Sequence, residues 1–250
     1  MSNSIQSALP LTNAALLPLR SISTIDSGCA VIVAPHPDDE TLGCGGAIAL
    51  LRSLNYPVQV LVISDGTLSH PRSRKYPSAV LRKLREQETI AALNLLQVET
   101  TAVTFLRLPD GAISDFVASE PICAACDAYL KAVQPKTVFL PWRYDPHPDH
   151  RAAWQLIDQA ASTLADPPRI IEYPIWDWDL EQRGTVKNTV KITGWRLDIT
   201  TVATLKQQAI AQYRSQTTDL IDDDPEGFRL TPEMLTHFSH PWELYFEEQQ

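Results

Sequence analysis

No stretch of the 250-residue chain is long and apolar enough to suggest a membrane-spanning helix. Residues 1–20, MSNSIQSALPLTNAALLPLR, carry neither a basic start nor a continuous apolar segment, so no export signal is expected and a cytoplasmic location is. Positive charge is in short supply. Lys and Arg number 21 against 30 Asp and Glu, for a net charge of −9. Such a surface disfavours a general nucleic-acid role, because phosphate binding wants a basic face. Cysteine is scarce too, at four residues. The pair in CAAC (123–126) lacks the second pair that a four-thiolate zinc ribbon needs, so reduced thiols on a buried helix are expected. Repeats, low-complexity tracts and long linkers are absent as well. One domain over 29–250, behind an N-terminal extension of 1–28, is therefore expected.

What is present is an alternation. CAVIVAP (29–35) is a short β-branched apolar run that reads as a buried strand. GGAIALLRSLNY (45–56) has helical spacing, and PVQVLVIS (57–64) reads as a second strand, which completes a βαβ unit. The pattern recurs with a helix over 79–98, a strand over 102–108, a helix over 118–134, a strand over 136–141, a helix over 149–165 and a strand over 169–176. A hairpin or edge pair is predicted around 183–199 and a late helix over 201–216. This order predicts an α/β fold of Rossmann-like, three-layer type, a mostly parallel sheet with helices on both faces.

Two clusters carry chemistry. HPDDE (36–40) begins where the first strand ends, and HPDH (147–150) follows the strand over 136–141. Ligands of doubly wound sheets bind at the carboxyl ends of the strands, so both clusters fall on one rim. His36 and Asp39, three apart across a turn, can meet one metal ion, and the second cluster offers His147 and His150 with Asp149 between them. A catalytic zinc site takes three protein ligands and keeps a fourth position open. One pair from the first loop and one histidine from the second would complete such a set. The competing explanation for Asp39 or Asp149 is a helix cap. Glu40, where a helix may begin, would complement the helix dipole and hold a neighbouring backbone amide. Gly43, Gly45 and Gly46 would permit tight turns and close packing.

PHPDDETLGCGG (35–46) with the later HPDH resembles the PIG-L/LmbE family of metal-dependent deacetylases, over about Ala30 to Phe246. REQE (85–88), LPDG (108–111), EYPIW (172–176) and YRSQ (213–216) add weaker matches. The resemblance implies a hydrolase that removes an acetyl group from an N-acetylglucosamine-type sugar or glycoconjugate. It implies His36, Asp39 and His150 as ligands of Zn²⁺, with another first-row ion such as Fe²⁺ as the alternative. It implies Asp38 as general base, His147 as the residue that stabilises the oxyanion or protonates the leaving amine, and Asp149 as the acid that orients and charges His147. Arg85 and Asp110 match positions near the substrate. The partner implied is a small amino-sugar substrate. The alternatives are hydrolysis of another amide or small-molecule conjugate, or a catalytically inactive sugar-binding relative.

Other residues are read more plainly. SDGTLSH (64–70) departs from the Thr-x-Gly of many relatives at Ser64, and His70 is expected on a surface loop. Asp222–Asp224 are expected in a solvated turn. Trp176 and Trp178 are candidates for a wall that stacks on a sugar, although core packing is favoured for Trp176; Trp142 is a candidate for the pocket lining. Tyr144 and Asp145 receive no role, and the oligomeric state is not specified.

Overall fold

Residues 14–176 and 191–249 are described by the structure, a computed structural model. The first central strand is β2 (Ala30–Ala34), all five residues of it buried, as expected of a β-branched run covered on both faces. Its side chains alternate between two layers. Val31 and Val33 pack with Leu61, Leu130, Val138 and Leu156 on one face, and Ile32 and Ala34 with Ile48, Val60, Phe139 and Ile171 on the other. Burying side chains of this size contributes about 1.5–3 kcal/mol each.

Eight strands form one sheet: β1 (Leu19–Arg20), β2, β3 (Val58–Ser64), β4 (Val103–Leu108), β5 (Thr137–Pro141), β6 (Arg169–Tyr173), β7 (Ile192–Asp198) and β8 (Trp242–Glu248). Their spatial order is β1-β7-β8-β6-β5-β2-β3-β4. Pairing is parallel except at β8, which runs antiparallel to both β6 and β7. Helices α1 (Asp39–Ser53), α2 (Ser78–Leu95), α3 (Glu120–Val133), α4 (Pro148–Ser162) and α5 (Ala203–Ile210) cover the two faces, and α6 (Arg214–Thr217) and α7 (Pro232–His237) are short. The predicted α/β architecture is thus found. The late helix predicted over 201–216 is split into α5 and α6, and of the predicted 183–199 pair only β7 lies among the described residues. Strand β8 had no counterpart in the sequence reading. Its buried run contains Glu243, which breaks the apolar signal.

β2 and β5 are neighbours, with Ala30 opposite Thr137 and Ile32 opposite Phe139. From β2 the sheet continues through β3 to β4, and from β5 through β6 in the other direction. The order reverses between them, and a crevice opens there at the strand ends. HPDDE leaves β2 and HPDH leaves the β5 loop at that point.

Gly43, Gly45 and Gly46 lie inside α1 rather than in turns, and none has a positive φ. They are small because other elements press on the helix. A Cβ on Gly43 would fall 2.2 Å from the Tyr173 ring, and one on Gly46 2.5 Å from Ile199. Beside them Glu243 of β8 accepts from the backbone N–H groups of Gly46 (2.7 Å) and Ala47 (2.8 Å). Lys206 (2.7 Å) and the Tyr245 hydroxyl (2.7 Å) complete that carboxylate's bonds, so it is buried but satisfied. Gly43→Ala is expected to destabilise the fold by about 1–3 kcal/mol, because Tyr173 is itself tied to the Val33 carbonyl and cannot withdraw. A urea unfolding midpoint unchanged from wild type would contradict this.

Candidate active site

Asp39 is the pivot. Its Oδ2 accepts from the His36 N–H at 2.9 Å and lies 3.2 Å from His36 Nδ1 and 3.3 Å from His150 Nε2. His150 Nε2 is in turn 3.3 Å from His36 Nδ1. Three donor atoms therefore form a nearly equilateral triangle. Its edges match the roughly 3.3 Å that ligands about 2.0–2.1 Å from a tetrahedral ion must have. One carboxylate and two imidazoles suit Zn²⁺ or a similar first-row ion.

The outer nitrogens of both histidines face carboxylates. His36 Nε2 is 3.2 Å from Asp110 Oδ1 and 3.3 Å from Asp149 Oδ2. His150 Nδ1 is 3.5 Å from Asp145 Oδ2, an ionic contact without hydrogen-bond alignment. Carboxylates placed behind histidines fix ring orientation and raise ligand basicity. Burial opposes charge on these rings, but the acids outweigh it. His150 is raised to about 9 by Asp39 and Asp145, and His36 well above its ordinary value by Asp110, Asp149 and Asp39. Burial likewise pushes Asp110 up, yet its bond to His36 brings it down to about 2. Asp39 is also held low against burial, by His150 and His36.

Asp38 stands apart from the triangle and is 6 % exposed. Its φ of 135° is unusual for a residue with a side chain, and such strain costs on the order of 1–3 kcal/mol. The peptide that precedes it is held from both ends. Arg85 donates to the Pro37 carbonyl at 2.6 Å, and the Asp38 N–H donates to Glu40 Oε2 at 3.1 Å. Arg85 also donates to the Asp38 carboxylate (3.1 Å) and the Gly66 carbonyl (2.9 Å). Glu40 Oε1 accepts from Tyr213 and Thr41. Burial raises the Asp38 carboxyl to about 8; Arg85 opposes this, and Asp39 and Glu40 reinforce it. A carboxylate with such a pKa accepts a proton near neutral pH.

His147 caps α4, and its Nδ1 accepts from the Asp149 N–H at 3.2 Å. That bond leaves the ring's proton on Nε2. Burial, with the charges of His150 and His36, lowers His147 to about 4, so the ring is neutral at pH 7.

A family model described as GlcNAc-PI de-N-acetylase (PIG-L) matches residues 31–161, which span both clusters and the strands that carry them. The chain belongs to this PIG-L family. Its members hydrolyse amides, and this chain is an enzyme of that type. A probable N-acetyl-alpha-D-glucosaminyl L-malate deacetylase 2 of Bacillus subtilis is 27 % identical over 226 residues, covering 88 % of this chain and 96 % of the relative. Among solved structures, the N,N'-diacetylchitobiose deacetylase of Pyrococcus horikoshii is similar in fold at a TM-score of 0.61 and 24 % identity, covering 84 % of this chain and 77 % of that one. The 4-carboxy-2-hydroxymuconate hydratase GalB of Pseudomonas putida is similar at a TM-score of 0.57 and 25 % identity, covering 76 % and 80 %.

Within the PIG-L site, several expectations change. Asp149 was expected to charge His147. Its backbone N–H holds that ring and its charge opposes the lowering of His147, while its carboxylate accepts from the Gly111 N–H (2.7 Å) and the Ile113 N–H (3.2 Å) and faces His36. Arg85 and Asp110 line the cavity but are committed to Asp38 and His36. Asp145, which had no assigned role, joins three parts of the site. It accepts from the N–H groups of His147 (2.9 Å), Ile175 (3.2 Å) and Trp176 (3.1 Å) and stands behind His150. The signal for it was an acid five residues ahead of a ligand candidate. Trp142 is fully buried against Phe246 and Tyr144, not in the cavity, whereas Trp176 lines it. Trp178 lies outside the described residues. His70 is buried rather than exposed, under Gly227. The acids at 222–224 form no free turn. Asp223 accepts from Ser73 Oγ (2.7 Å) and the N–H groups of Arg74 (2.8 Å) and Lys75 (2.9 Å), and Asp224 from the Arg72 N–H (2.8 Å).

Proposed function

We propose that the chain is a zinc-dependent deacetylase that removes an acetyl group from an N-acetylated amino sugar of the N-acetylglucosamine type. The observation that carries this reading is the donor triangle of His36, Asp39 and His150, with a raised-pKa carboxylate beside it at the switch point of the sheet. The activities for which the Bacillus and Pyrococcus relatives are named support the substrate class.

His36, Asp39 and His150 would hold the ion. When bound, a divalent cation supplies Lewis acidity, lowering the pKa of a water and polarising the acyl oxygen. Asp38 takes the attacking water's proton and delivers it to the leaving nitrogen, which a pKa near neutrality allows in both directions. His147 offers its Nε2–H to the developing oxyanion as a neutral donor. Asp110, Asp149 and Asp145 hold the rings in place.

The direct test is acetate release from N-acetylglucosamine glycosides by zinc-loaded protein. No release from any of them, with the metal demonstrably bound, would overturn the reading. Hydration of 4-carboxy-2-hydroxymuconate is the counter-assay suggested by GalB. That substrate carries three carboxylates, and Arg85 is the sole Lys or Arg among the described residues that line the cavity.

Glu40→Ala is expected to lower kcat about 10²-fold with KM and metal content retained, because the Asp38 peptide loses one of its two restraints. Glu40→Gln, which keeps an acceptor for the Asp38 N–H, should recover most of the loss. Equal damage from both variants would show that the charge, not the restraint, matters.

A further inference from the structure

The cavity over the site has a volume of about 510 Å³, within the range of small-molecule pockets. One end is the polar floor already described. The other is apolar: Trp176, Phe228, Leu230 and Met234 line it, from two stretches of the chain. The Trp176 and Phe228 rings meet edge to face at 5.5 Å. This wall is built in advance of any ligand. Phe228 N–H donates to the Ser69 carbonyl and Leu230 N–H to the Gln216 carbonyl, while Asp223 and Asp224 tie the same loop to residues 72–75.

The wall is tied to the segment that holds Asp38. Arg85, which holds Asp38, and the Ser69 hydroxyl both donate to the Gly66 carbonyl, at 2.9 and 3.3 Å. Ser69 then carries Phe228 through its own carbonyl. Asp38 is therefore linked, through Arg85, Gly66 and Ser69, to the apolar wall. On the proposed mechanism the group that returns a proton to the leaving nitrogen would face the sugar half of the substrate, which would turn what the sugar carries toward this wall.

Charge narrows the choice. Among the described lining residues the acids are Asp38, Asp39 and Asp110, and Arg85 is the one Lys or Arg. Its guanidinium is committed to Gly66, Pro37 and Asp38. An anionic aglycone seated on the wall would find no free Lys or Arg among the described lining residues.

We infer that the amino-sugar substrate carries an uncharged, apolar aglycone, seated against Trp176, Phe228, Leu230 and Met234. This rests on the reading of the site as an amino-sugar deacetylase. It separates this chain from an enzyme that acts on a malate conjugate, the activity for which the Bacillus relative is named.

The experiment compares kcat/KM of zinc-loaded protein for hexyl N-acetylglucosaminide, malyl N-acetylglucosaminide, free N-acetylglucosamine and N-hexanoylglucosamine. The hexyl glycoside should exceed the free sugar by about tenfold or more, since each buried methylene adds to binding. The malyl glycoside should gain nothing. Phe228→Ala should bring the ratio of hexyl glycoside to free sugar toward one, and Met234→Ala, on exposed α7, serves if the first variant fails to fold. A preference for the malyl glycoside, a hexyl ratio near one, or a gain confined to the N-hexanoyl sugar would overturn the inference and leave deacetylation standing. No turnover of any of the sugars would overturn the deacetylase reading instead. Calorimetry then decides the wall: binding of hexyl glucosaminide with a negative heat-capacity change that Phe228→Ala weakens supports it, and no binding overturns it.

Discussion

Asp38→Asn is expected to lower kcat for amide hydrolysis on the order of 10³-fold while metal content stays at the wild-type level. The reasoning is geometric before it is electrostatic. Asp38 belongs to neither set of side chains placed to share one ion, His36, Asp39 and His150 or His36, His147 and Asp149, so its loss does not remove a ligand. Asparagine retains an oxygen for the 3.1 Å bond from Arg85, and the Pro37 and Glu40 contacts to the backbone do not involve the side chain. The variant should therefore fold with the same strained turn and lack only the capacity to move a proton. Burial raises the Asp38 carboxyl to about 8. A nearby cation lowers that value, so the wild-type acid limb of kcat/KM should lie below pH 8, with the rate falling as the base is protonated. The variant should lose that limb from whatever residual activity persists. Activity within tenfold of wild type, at full metal content, would place the base elsewhere.

Much of this site was legible in the sequence because its parts sit next to strand ends. An apolar β-branched run is a buried strand with few alternatives, and a His/Asp cluster at its carboxyl end falls on the ligand-binding rim. Two such clusters therefore pointed to one rim of the sheet before any pairing was known, and the β2–β5 pairing places them together at the crevice. What was not legible depends on contacts far apart in the chain. Asp222–Asp224 read as a solvated run because nothing local shows that loop 70–76 presents backbone N–H groups to two of them. His70 read as exposed because the covering residue, Gly227, is more than 150 positions away. Strand β8 went unseen for a related reason. Glu243 looks out of place in a buried strand until Lys206, Tyr245 and two amides of α1 are found around it. The role first given to Asp149 falls largely to its backbone. Three residues at the head of α4 put the backbone amide of Asp149, not its carboxylate, on His147.

Apparent metal affinity is expected to rise by tenfold or more per pH unit between about 6.5 and 9. An ion needs both imidazoles unprotonated, and each displaced proton contributes a factor of ten per unit. Without metal, His150 titrates at about 9 rather than 6.5, and His36 is raised in the same direction, so one to two protons are displaced across this range. The sign for the metal-free fold is opposite. A histidine whose folded pKa is raised contributes stability that is complete below 6.5 and is lost as pH rises through 9. Metal-free protein should therefore weaken over the interval in which the metal-bound form gains. Chelator competition and thermal unfolding, each run from pH 6 to 9 with and without zinc, check the two slopes, and a pH-independent affinity would contradict the account. Asp145→Asn separates the contributions. It removes the charge 3.5 Å behind His150, so His150 should titrate lower and the pH dependence of binding should flatten. The affinity at high pH should fall about 10–100-fold, because the ring loses the carboxylate that orients it. His150→Ala should instead remove the ligand itself, and no increase in pH should restore binding.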